Sequence, residues 1–316
     1  TTVILISKAL LHFPQFRFRD ARKLLWNPIL KKTFVNRPEE RVRLELIDYL
    51  TLEAGFSPHR ISFESPVKLP NDKSSSRTDI ICYDEDFKPL LLVECKSGDI
   101  KLDEKAAIQV ARYNQKVGAP LVLVSNGLLD FCFGPKTSET KTGAKNSLSP
   151  LTAFPKPFKS KKNIERSFQY WQDRGFTGSQ THPVARTFAL EACQTLFNES
   201  HQPIKFLNFD DYAPELAMDH YYRIFGLDEN IKIAVTISVS PYGGTRLNVI
   251  LNRQGANTAF FSSSLDLIAK KEKRNTEIHS AKGVQELDLT AEIEFDFERK
   301  IPDFISSFKN LLIQNS

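Results

Sequence analysis

Three charged residues, Asp79, Glu94 and Lys96, have the types and spacing of a group that acts on phosphate esters. Side chains alternate across a strand, so Glu94 and Lys96 share one face while Cys95 points to the other. Two carboxylates can hold a hard cation such as Mg²⁺, which keeps several waters. The ion acidifies a bound water and draws charge from phosphate oxygens, and a nearby ammonium can orient that water or take its proton. The three residues therefore predict metal-assisted phosphodiester hydrolysis.

The surrounding sequence predicts a β-hairpin that brings Asp79 to the other two residues. Two apolar runs, residues 80–83 and 90–93, are separated by a turn-forming stretch, which is the pattern of two paired strands. If the strands pair in register, Asp79 reaches the face that carries Glu94 and Lys96. The competing interpretation is a plain ion pair between Glu94 and Lys96 at the rim of an edge strand.

Helices are expected on both sides of this hairpin. Upstream, a helix begins after Arg37 with Pro38 in its first turn, where proline is favoured, and it extends to about Leu52. Downstream, residues 102–117 have helical composition and lead to an apolar strand over residues 121–124. A strand–helix–strand crossover normally joins two parallel strands. The predicted core is a mixed sheet flanked by helices.

Two further pairs of polar residues lie on these predicted helices. Glu40 and Arg43 lie off the apolar stripe of the first helix, so by themselves they are expected to be solvated. Gln109 and Tyr113 are four residues apart and share a face of the second helix. By themselves they indicate only a surface glutamine and a half-buried tyrosine.

Taken together, the stretch from about Trp26 to Gly134 resembles the N-terminal nuclease domain of type I restriction enzyme R subunits, in the PD-(D/E)xK superfamily. The segments that carry the resemblance are WNPILKKTFVNRPEERVR, RTDIICYD, KPLLLVECKSGDIKL, QVARYN and VSNGL. The resemblance implies a restriction-endonuclease-like α/β core with a mixed central sheet flanked by helices. Thr78 stands where relatives have proline, and Ser97-Gly98 stands where they often have Ala-Pro, but every charged position is intact.

The resemblance also implies roles for single residues. Asp79 and Glu94, with the backbone carbonyl of Cys95, are expected to bind Mg²⁺, for which Mn²⁺ can substitute. Lys96 is expected to be the catalytic lysine. Glu40 corresponds to the helix glutamate that RecB-like members add to the catalytic and metal site.

A second element of RecB-like members is also present. Gln109 and Tyr113 match the Gln-x-x-x-Tyr element of those members, which is thought to contact DNA or to brace the site. The resemblance therefore implies that both side chains lie beside the catalytic residues.

The sequence has no ATP site. Type I R subunits couple their nuclease to a large ATP-driven motor, but no Gly-x-x-x-x-Gly-Lys-Ser/Thr phosphate loop occurs in these 316 residues. We therefore expect either a stand-alone nuclease or one component of an assembly, with restriction-system subunits as partners.

The composition is that of an ordinary globular protein. Apolar residues make up 41% and charged residues 26%, and no apolar stretch approaches the ~20 residues of a membrane helix. The N-terminal VILISKALL is short and contains Lys8, which favours an element packed on the nuclease over a signal peptide. The four cysteines lack the spacing of zinc or disulfide sites. A cytoplasmic protein without a membrane partner fits best.

A basic stretch separates the two halves of the chain. Residues 135–174 carry nine basic and three acidic residues, while the whole chain has a net charge of only +5. Lys159, Lys161 and Lys162 are interleaved here with aromatic residues, which indicates either a DNA-tracking arm or a solvated connector. The predicted domains are residues 1–158 (nuclease-like), 159–182 (connector) and 183–316 (second domain).

The C-terminal half predicts an α+β domain with an antiparallel sheet. Alternating apolar residues at 231–239, a turn, and residues 247–251 form a predicted hairpin. Alternation at 287–297 predicts another strand, and a closing helix follows Pro302. Acidic residues at 210–219 are either a solvated helix face or a second metal site. DNA reading, partner binding and dimerisation all remain open for this domain.

These observations favour a Mg²⁺-dependent DNA endonuclease of a restriction or defence system. One alternative is a nuclease-fold module that binds DNA or scaffolds a restriction or repair complex without cutting. Another is an enzyme for a different substrate, or a regulator, in which the motif is accidental. Intact charged positions favour the first, since a retired site has no physical reason to keep them at a buried edge. Because one site cuts one strand, a homodimer is the favoured assembly.

Overall fold

The computed structural model describes residues 4–20, 22–67, 76–102, 104–135, 148–155, 166–198, 223–240 and 243–316. The chain divides into two compact units, residues 1–164 and residues 165–316. The boundary falls inside the predicted connector, and residues 166–182 are part of the second unit. Each unit has its own sheet and its own core.

The first unit combines strands with two α-helices in the part of the chain that is described. Its elements are β1 (Leu5–Ile6), β2 (Gln15–Arg19), β3 (Arg22–Asn27), β4 (Lys32–Val35), α1 (Pro38–Leu52), β5 (Ile61–Val67), β6 (Ser76–Tyr83), β7 (Pro89–Cys95), α2 (Glu104–Val117), β8 (Leu121–Ser125), β9 (Leu129–Pro135) and β10 (Leu148–Pro150). Two short 3₁₀ helices, Lys8–Leu11 and Pro58–Arg60, complete it.

A seven-stranded mixed sheet forms the centre of this unit. Its strand order is β1-β9-β8-β7-β6-β5, and β10 pairs with β9. Strands β6 and β7 form the predicted antiparallel hairpin, and β7 and β8 are parallel because α2 carries the chain back across the sheet. The predicted mixed central sheet is confirmed. Strand β7 lies between β6 and β8, so it is not an edge strand.

The two helices cover opposite faces of this sheet. Ile80 and Val93 belong to the core on the α1 side, whereas Ile81 and Leu92 belong to the core on the α2 side. Both faces of the central strands are therefore apolar, which explains their nearly unbroken apolar runs. Each such fully buried side chain contributes roughly 1.5–3 kcal/mol to stability.

The N-terminal segment is part of this unit. Leu5 of β1 pairs with Asp130 of β9, and the following 3₁₀ helix packs against α1. Strands β2, β3 and β4 form a separate antiparallel sheet, which packs on α1 through the buried side chains of Phe16 and Leu25. The prediction that the N-terminal residues pack on this unit is confirmed.

The second unit is an antiparallel sheet with helices. Its described elements are α3 (Phe168–Asp173), α4 (Pro183–Asn198), β11 (Arg223–Gly226), β12 (Ile231–Val239), β13 (Thr245–Arg253), β14 (Ala256–Ser264), α5 (Leu265–Ala269), β15 (Thr276–Ser280), β16 (Gly283–Leu287), α6 (Leu289–Glu292) and α7 (Ile305–Asn315). Strands β11 to β16 pair in chain order, all antiparallel. The predicted hairpin of β12 and β13 and the predicted antiparallel sheet are confirmed.

The strand predicted over residues 287–297 is wrong. Strand β16 ends at Leu287, the first residue of the predicted range. The Asp288 side chain then accepts a hydrogen bond from the Thr290 amide, an N-cap that begins α6. Further on, Phe295 stacks on Phe304 at 5.0 Å between ring centroids. The alternation of apolar residues therefore comes from a capped helix followed by an aromatic cluster.

Two expectations from composition can be compared with the structure. Cys82, Cys95, Cys132 and Cys193 are all buried, as expected of thiols that act as small hydrophobic groups. Among the described helices, none has both the length and the apolar character needed to span a bilayer.

Candidate catalytic site

The candidate site lies where β6 and β7 run side by side. Ile80 lies opposite Val93 in their register, so the row beyond them pairs Asp79 with Glu94. One carboxylate oxygen of Asp79, Oδ2, accepts a hydrogen bond from the Cys95 backbone amide at 2.6 Å. The hairpin thus brings Asp79 to the end of β7, as its sequence predicts.

Lys96 joins the same group of side chains. Its Nζ lies 2.8 Å from Oε1 of Glu94, while the Cys95 side chain points into the apolar core. The Lys96 amide donates to the Ser125 carbonyl, continuing the parallel ladder with β8. The Glu94–Lys96 pair therefore lies on an interior strand, and the competing interpretation as a rim pair of an edge strand is wrong.

Arg43 is the residue at this site that sequence reasoning missed. Its Nη2 lies 2.8 Å from Asp79 Oδ1, and its Nη1 lies 2.8 Å from Glu40 Oε2 and 3.3 Å from Glu64 Oε1. Glu40 is only 8% exposed, so the expectation that Glu40 and Arg43 are solvated is wrong. Their i, i+3 spacing puts them on one helix face, and that face of α1 meets β5 at Glu64 and β6 at Asp79.

Three carboxylates form a row across adjacent strands. The registers of β5, β6 and β7 place Glu64, Asp79 and Glu94 level with one another. Glu64 has a φ of 52°, which lies in the left-handed region that side chains other than glycine rarely adopt. Strain of this kind tends to occur at functional sites. Glu64 is therefore a second site residue that helix and strand periodicity did not reveal.

The two predicted bracing residues lie beside Lys96. Lys96 Nζ donates to Gln109 Oε1 at 3.4 Å, and Gln109 Nε2 donates to the Tyr113 hydroxyl at 3.1 Å. Both side chains are half-buried on the face of α2 that looks towards the sheet. The structure thus links Tyr113, Gln109, Lys96 and Glu94 in one chain of polar contacts.

Burial shifts the ionisation of the carboxyl groups in this cluster. Burial, together with the negative charge of Asp79, raises the pKa of Glu94 to about 7, against the opposing effect of Lys96. Burial also raises the pKa of Asp79, although Arg43 and the Cys95 amide oppose this. The pKa of Glu40 is raised by burial as well. Crowded, partly desolvated carboxylates of this kind gain from a nearby cation.

A hard divalent cation is compatible with these side chains. Within the described ranges, no three His, Cys, Asp or Glu side chains already surround a common point; the carboxylates instead contact Arg43 and Lys96. Glu40 Oε1 is buried and has no hydrogen-bond partner. Together with Asp79 and Glu94 it provides the oxygen ligands that Mg²⁺ prefers. The donor set therefore fits a small, hard cation.

The residues predicted to form a DNA-tracking arm are described only in part. Lys159, Lys161 and Lys162 lie outside the described residues, as do the acidic residues at 210–219. At the end of the basic stretch, the Arg174 guanidinium lies 3.6 Å from the centre of the Tyr170 ring. It is buried in the second unit, so this arginine packs within the domain.

Comparison with known proteins gives one match. The family described as Type I restriction enzyme R protein N terminus matches residues 38–149. This range runs from α1 to β10 and contains Glu40, Arg43, Glu64, Asp79, Glu94, Lys96, Gln109 and Tyr113, but not Lys159, Lys161 or Lys162. The resemblance to the N terminus of type I restriction enzyme R proteins is confirmed over that range. The chain gave no significant match among curated proteins or among solved structures.

Proposed function

We propose that the first unit is a Mg²⁺-dependent DNA endonuclease domain of a restriction system, with a restriction-endonuclease-like core of the PD-(D/E)xK type. The observation that carries the proposal is the row of buried carboxylates at Asp79 and Glu94, with Lys96 2.8 Å from Glu94. The family match over residues 38–149 supports a nuclease in a restriction setting. A cytoplasmic location, restriction-system partner subunits and a homodimer belong to the same proposal.

In this proposal the carboxylates hold the cation. Asp79 and Glu94 bind it with the Cys95 backbone carbonyl, and Glu40 contributes from α1. When bound, Mg²⁺ supplies an acidified water and neutralises charge on phosphate oxygens. The Cys95 amide fixes the orientation of the Asp79 carboxylate before any ligand arrives, which lowers the entropic cost of assembling the site.

Lys96 would then act on the water or the phosphate as a cation. Burial lowers the pKa of Lys96, but the hydrogen bond and charge of Glu94 outweigh burial, and the net shift is upward. In the metal-free site the side chain is therefore an ammonium, which donates hydrogen bonds. Gln109 contacts its Nζ, so Gln109 and Tyr113 would hold Lys96 in place.

Arg43 would provide the positive charge that the carboxylates need in the absence of metal. Its guanidinium contacts Asp79, Glu40 and Glu64. A cation that binds Asp79 and Glu40 must take over part of that charge compensation. We therefore expect Arg43 to keep the ligands in position until a metal ion binds.

The proposal is tested by cleavage of plasmid DNA with purified protein and Mg²⁺. Asp79→Asn and Lys96→Ala are expected to abolish nicking, as is chelation of the metal. Matched controls are Asp86→Asn and Lys88→Ala, which change the same residue types in the exposed turn of the same hairpin. These controls should cut at the unmodified rate. Cleavage that survives both site substitutions would remove the site assignment.

One observation favours the non-cutting alternative. Arg43 and Lys96 already neutralise the carboxylates, which is the arrangement a purely structural cluster would have. A scaffold or binding module would show salt-sensitive DNA binding without nicking, even with Mn²⁺ in place of Mg²⁺. The same plasmid assay, combined with a binding measurement, distinguishes the two functions.

A further inference from the structure

The three-stranded sheet of β2, β3 and β4 has a strong positive charge. Residues 15–35 contain six basic residues and a single acidic one, Asp20. The basic residues are Arg17, Arg19, Arg22, Lys23, Lys31 and Lys32. This concentration is hidden in the modest net charge of the whole chain. It also lies outside residues 38–149, the range of the family match.

The two faces of this sheet have different roles. Phe16, Leu25 and Phe34 pair across the three strands and pack in the core with α1. Because side chains alternate along each strand, the intervening residues form the opposite, outer face. That face consists of Gln15, Arg17, Arg19, Arg22, Leu24, Trp26, Thr33 and Val35.

Arg17 and Trp26 form a preorganised platform on the outer face. The guanidinium of Arg17 lies over the Trp26 ring, 5.3 Å from its centroid, and Arg17 Nη1 donates to the Phe16 carbonyl at 2.8 Å. Arg19 and Arg22 lie opposite each other at the end of the same two strands, and both are exposed. The face thus presents one oriented arginine beside an indole and two further arginines in reach of solvent.

We infer that this outer face binds the phosphate backbone of duplex DNA. DNA carries one negative charge per roughly 1.7 Å of helix axis, and basic side chains that contact it release counterions. Guanidinium groups match phosphate geometry better than ammonium groups do, and all the basic residues on this face are arginines. A membrane surface fits less well, because interfacial binding needs a large apolar face. The large apolar side chains of this face are Val35, which is 63% exposed, and Leu24 and Trp26, which are half-buried.

The sheet packs against the helix that carries Glu40 and against β5. The guanidinium of Arg41 lies 5.9 Å from the centre of the Phe16 ring. Phe34 contacts Phe63 at 6.2 Å between centroids, and Arg43 lies over that same Phe63 ring at 5.3 Å. DNA bound on the outer face would therefore be fixed relative to the candidate site, an advantage that rests on the proposed function.

The test is DNA binding by the full-length protein, measured by fluorescence anisotropy with a labelled duplex and EDTA across a range of KCl concentrations. The triple substitution Arg17→Gln, Arg19→Gln and Arg22→Gln should weaken binding roughly tenfold or more, and the slope of log K against log salt should become shallower by about two to three. The matched control is Lys270→Gln, Lys273→Gln and Lys282→Gln, which removes equal charge from exposed positions of the second unit. The control should bind with nearly unchanged affinity and slope.

A double variant, Arg19→Gln with Arg22→Gln, protects the test against misfolding. Both side chains are exposed, so this variant keeps the Arg17–Trp26 contact and should still lose about two from the slope. The inference is wrong if either variant keeps the slope of the unmodified protein, or if the control loses as much. Binding to phosphatidylserine vesicles without salt-dependent DNA binding would also overturn it, in favour of a membrane surface.

These outcomes are separable from the proposed function. Because EDTA excludes cleavage, the binding assay is independent of catalysis. Arginine-dependent binding without any nicking would leave this inference standing and remove the nuclease. Nicking together with unchanged DNA binding by the triple variant would support the nuclease and refute this inference.

Discussion

Arg43 compensates more charge than any other side chain of the candidate site. The Arg43 guanidinium forms ion pairs with Glu40, Glu64 and Asp79, and the Arg43 side chain is only 11% exposed. Removing one partner from a buried ionic cluster leaves the others desolvated and unpaired, and this usually costs more than the pair itself contributes. The stability of the first unit and the order of its site therefore depend on the same residue.

We predict that Arg43→Gln lowers the free energy of unfolding by roughly 3–5 kcal/mol in EDTA. Adding Asp79→Asn should recover part of this loss, because it removes one of the unpaired charges. Urea denaturation followed by circular dichroism measures both effects. Arg274→Gln is the control, since Arg274 is exposed and its ion pair with the exposed Glu286 is 3.9 Å long. A loss as small as that of the control would contradict the charge-compensating role.

The residues of the site differ in how far their sequence reveals them. Strand alternation was enough to place Asp79, Glu94 and Lys96 together, because the hairpin is a local structure. The periodicity of α1 was not enough for Arg43, because two of its three partners, Glu64 and Asp79, lie on β5 and β6. Their positions depend on how the helix crosses the sheet, which no local pattern encodes.

Helix α1 shows what an element imposes on its residues beyond the site. Glu45 is buried in this helix, and burial raises the pKa of Glu45 to about 8, although Arg41 opposes the shift. The helix needs this position to pack on the sheet, so a carboxyl group is desolvated there. Its ionisation must then work against folding.

We predict that Glu45→Gln stabilises the protein increasingly as pH rises from about 4.5 to about 8. The folded-state pKa of Glu45 lies above its unfolded value, so its contribution is fully present below about 4.5 and is lost as pH rises through about 8. The variant should match the unmodified protein at acidic pH and exceed it by roughly 1–3 kcal/mol at alkaline pH. Urea denaturation at several pH values measures the difference. An unchanged pH profile for Glu45→Gln would refute the prediction.

Elements marked by a turn or a helix-start residue were predicted correctly. Elements in which tertiary contacts or a helix cap override the apolar periodicity were not. The hairpin of β6 and β7 is indicated by its turn residues, and the start of α1 is indicated by its proline. At residues 287–297 a period of two was overridden by the Asp288 cap and by aromatic contacts of Phe295. The pairing of β1 with β9 joins residues far apart in the chain, so no turn or cap marks it.

On the scale of the whole molecule, each compact unit contains one of the two tryptophans. Trp26 lies in the first unit and Trp171 in the second. Trp171 is fully buried and contacts Phe176 at 5.2 Å between ring centroids. Each residue is therefore a fluorescence reporter for its own unit.

We predict that the two units unfold independently. In a Trp171→Phe background, Arg43→Gln should shift the urea transition reported by Trp26. In a Trp26→Phe background, the same substitution should leave the transition reported by Trp171 in place. Phe308→Ala, which opens the core of the second unit at a cost of roughly 3–5 kcal/mol, should give the opposite pattern. Transitions that move together in both backgrounds would show a single cooperative domain.

The hydrogen bond from the Cys95 amide to Asp79 has a consequence for how this protein can vary. The donor belongs to the main chain, so no replacement of the side chain at position 95 can delete it, except by proline. Residue choice there is governed by the space available in the core. Other small apolar side chains can therefore replace this cysteine without changing the orientation of the Asp79 carboxylate. At this position the side chain can vary, while the function of the residue is carried by its backbone.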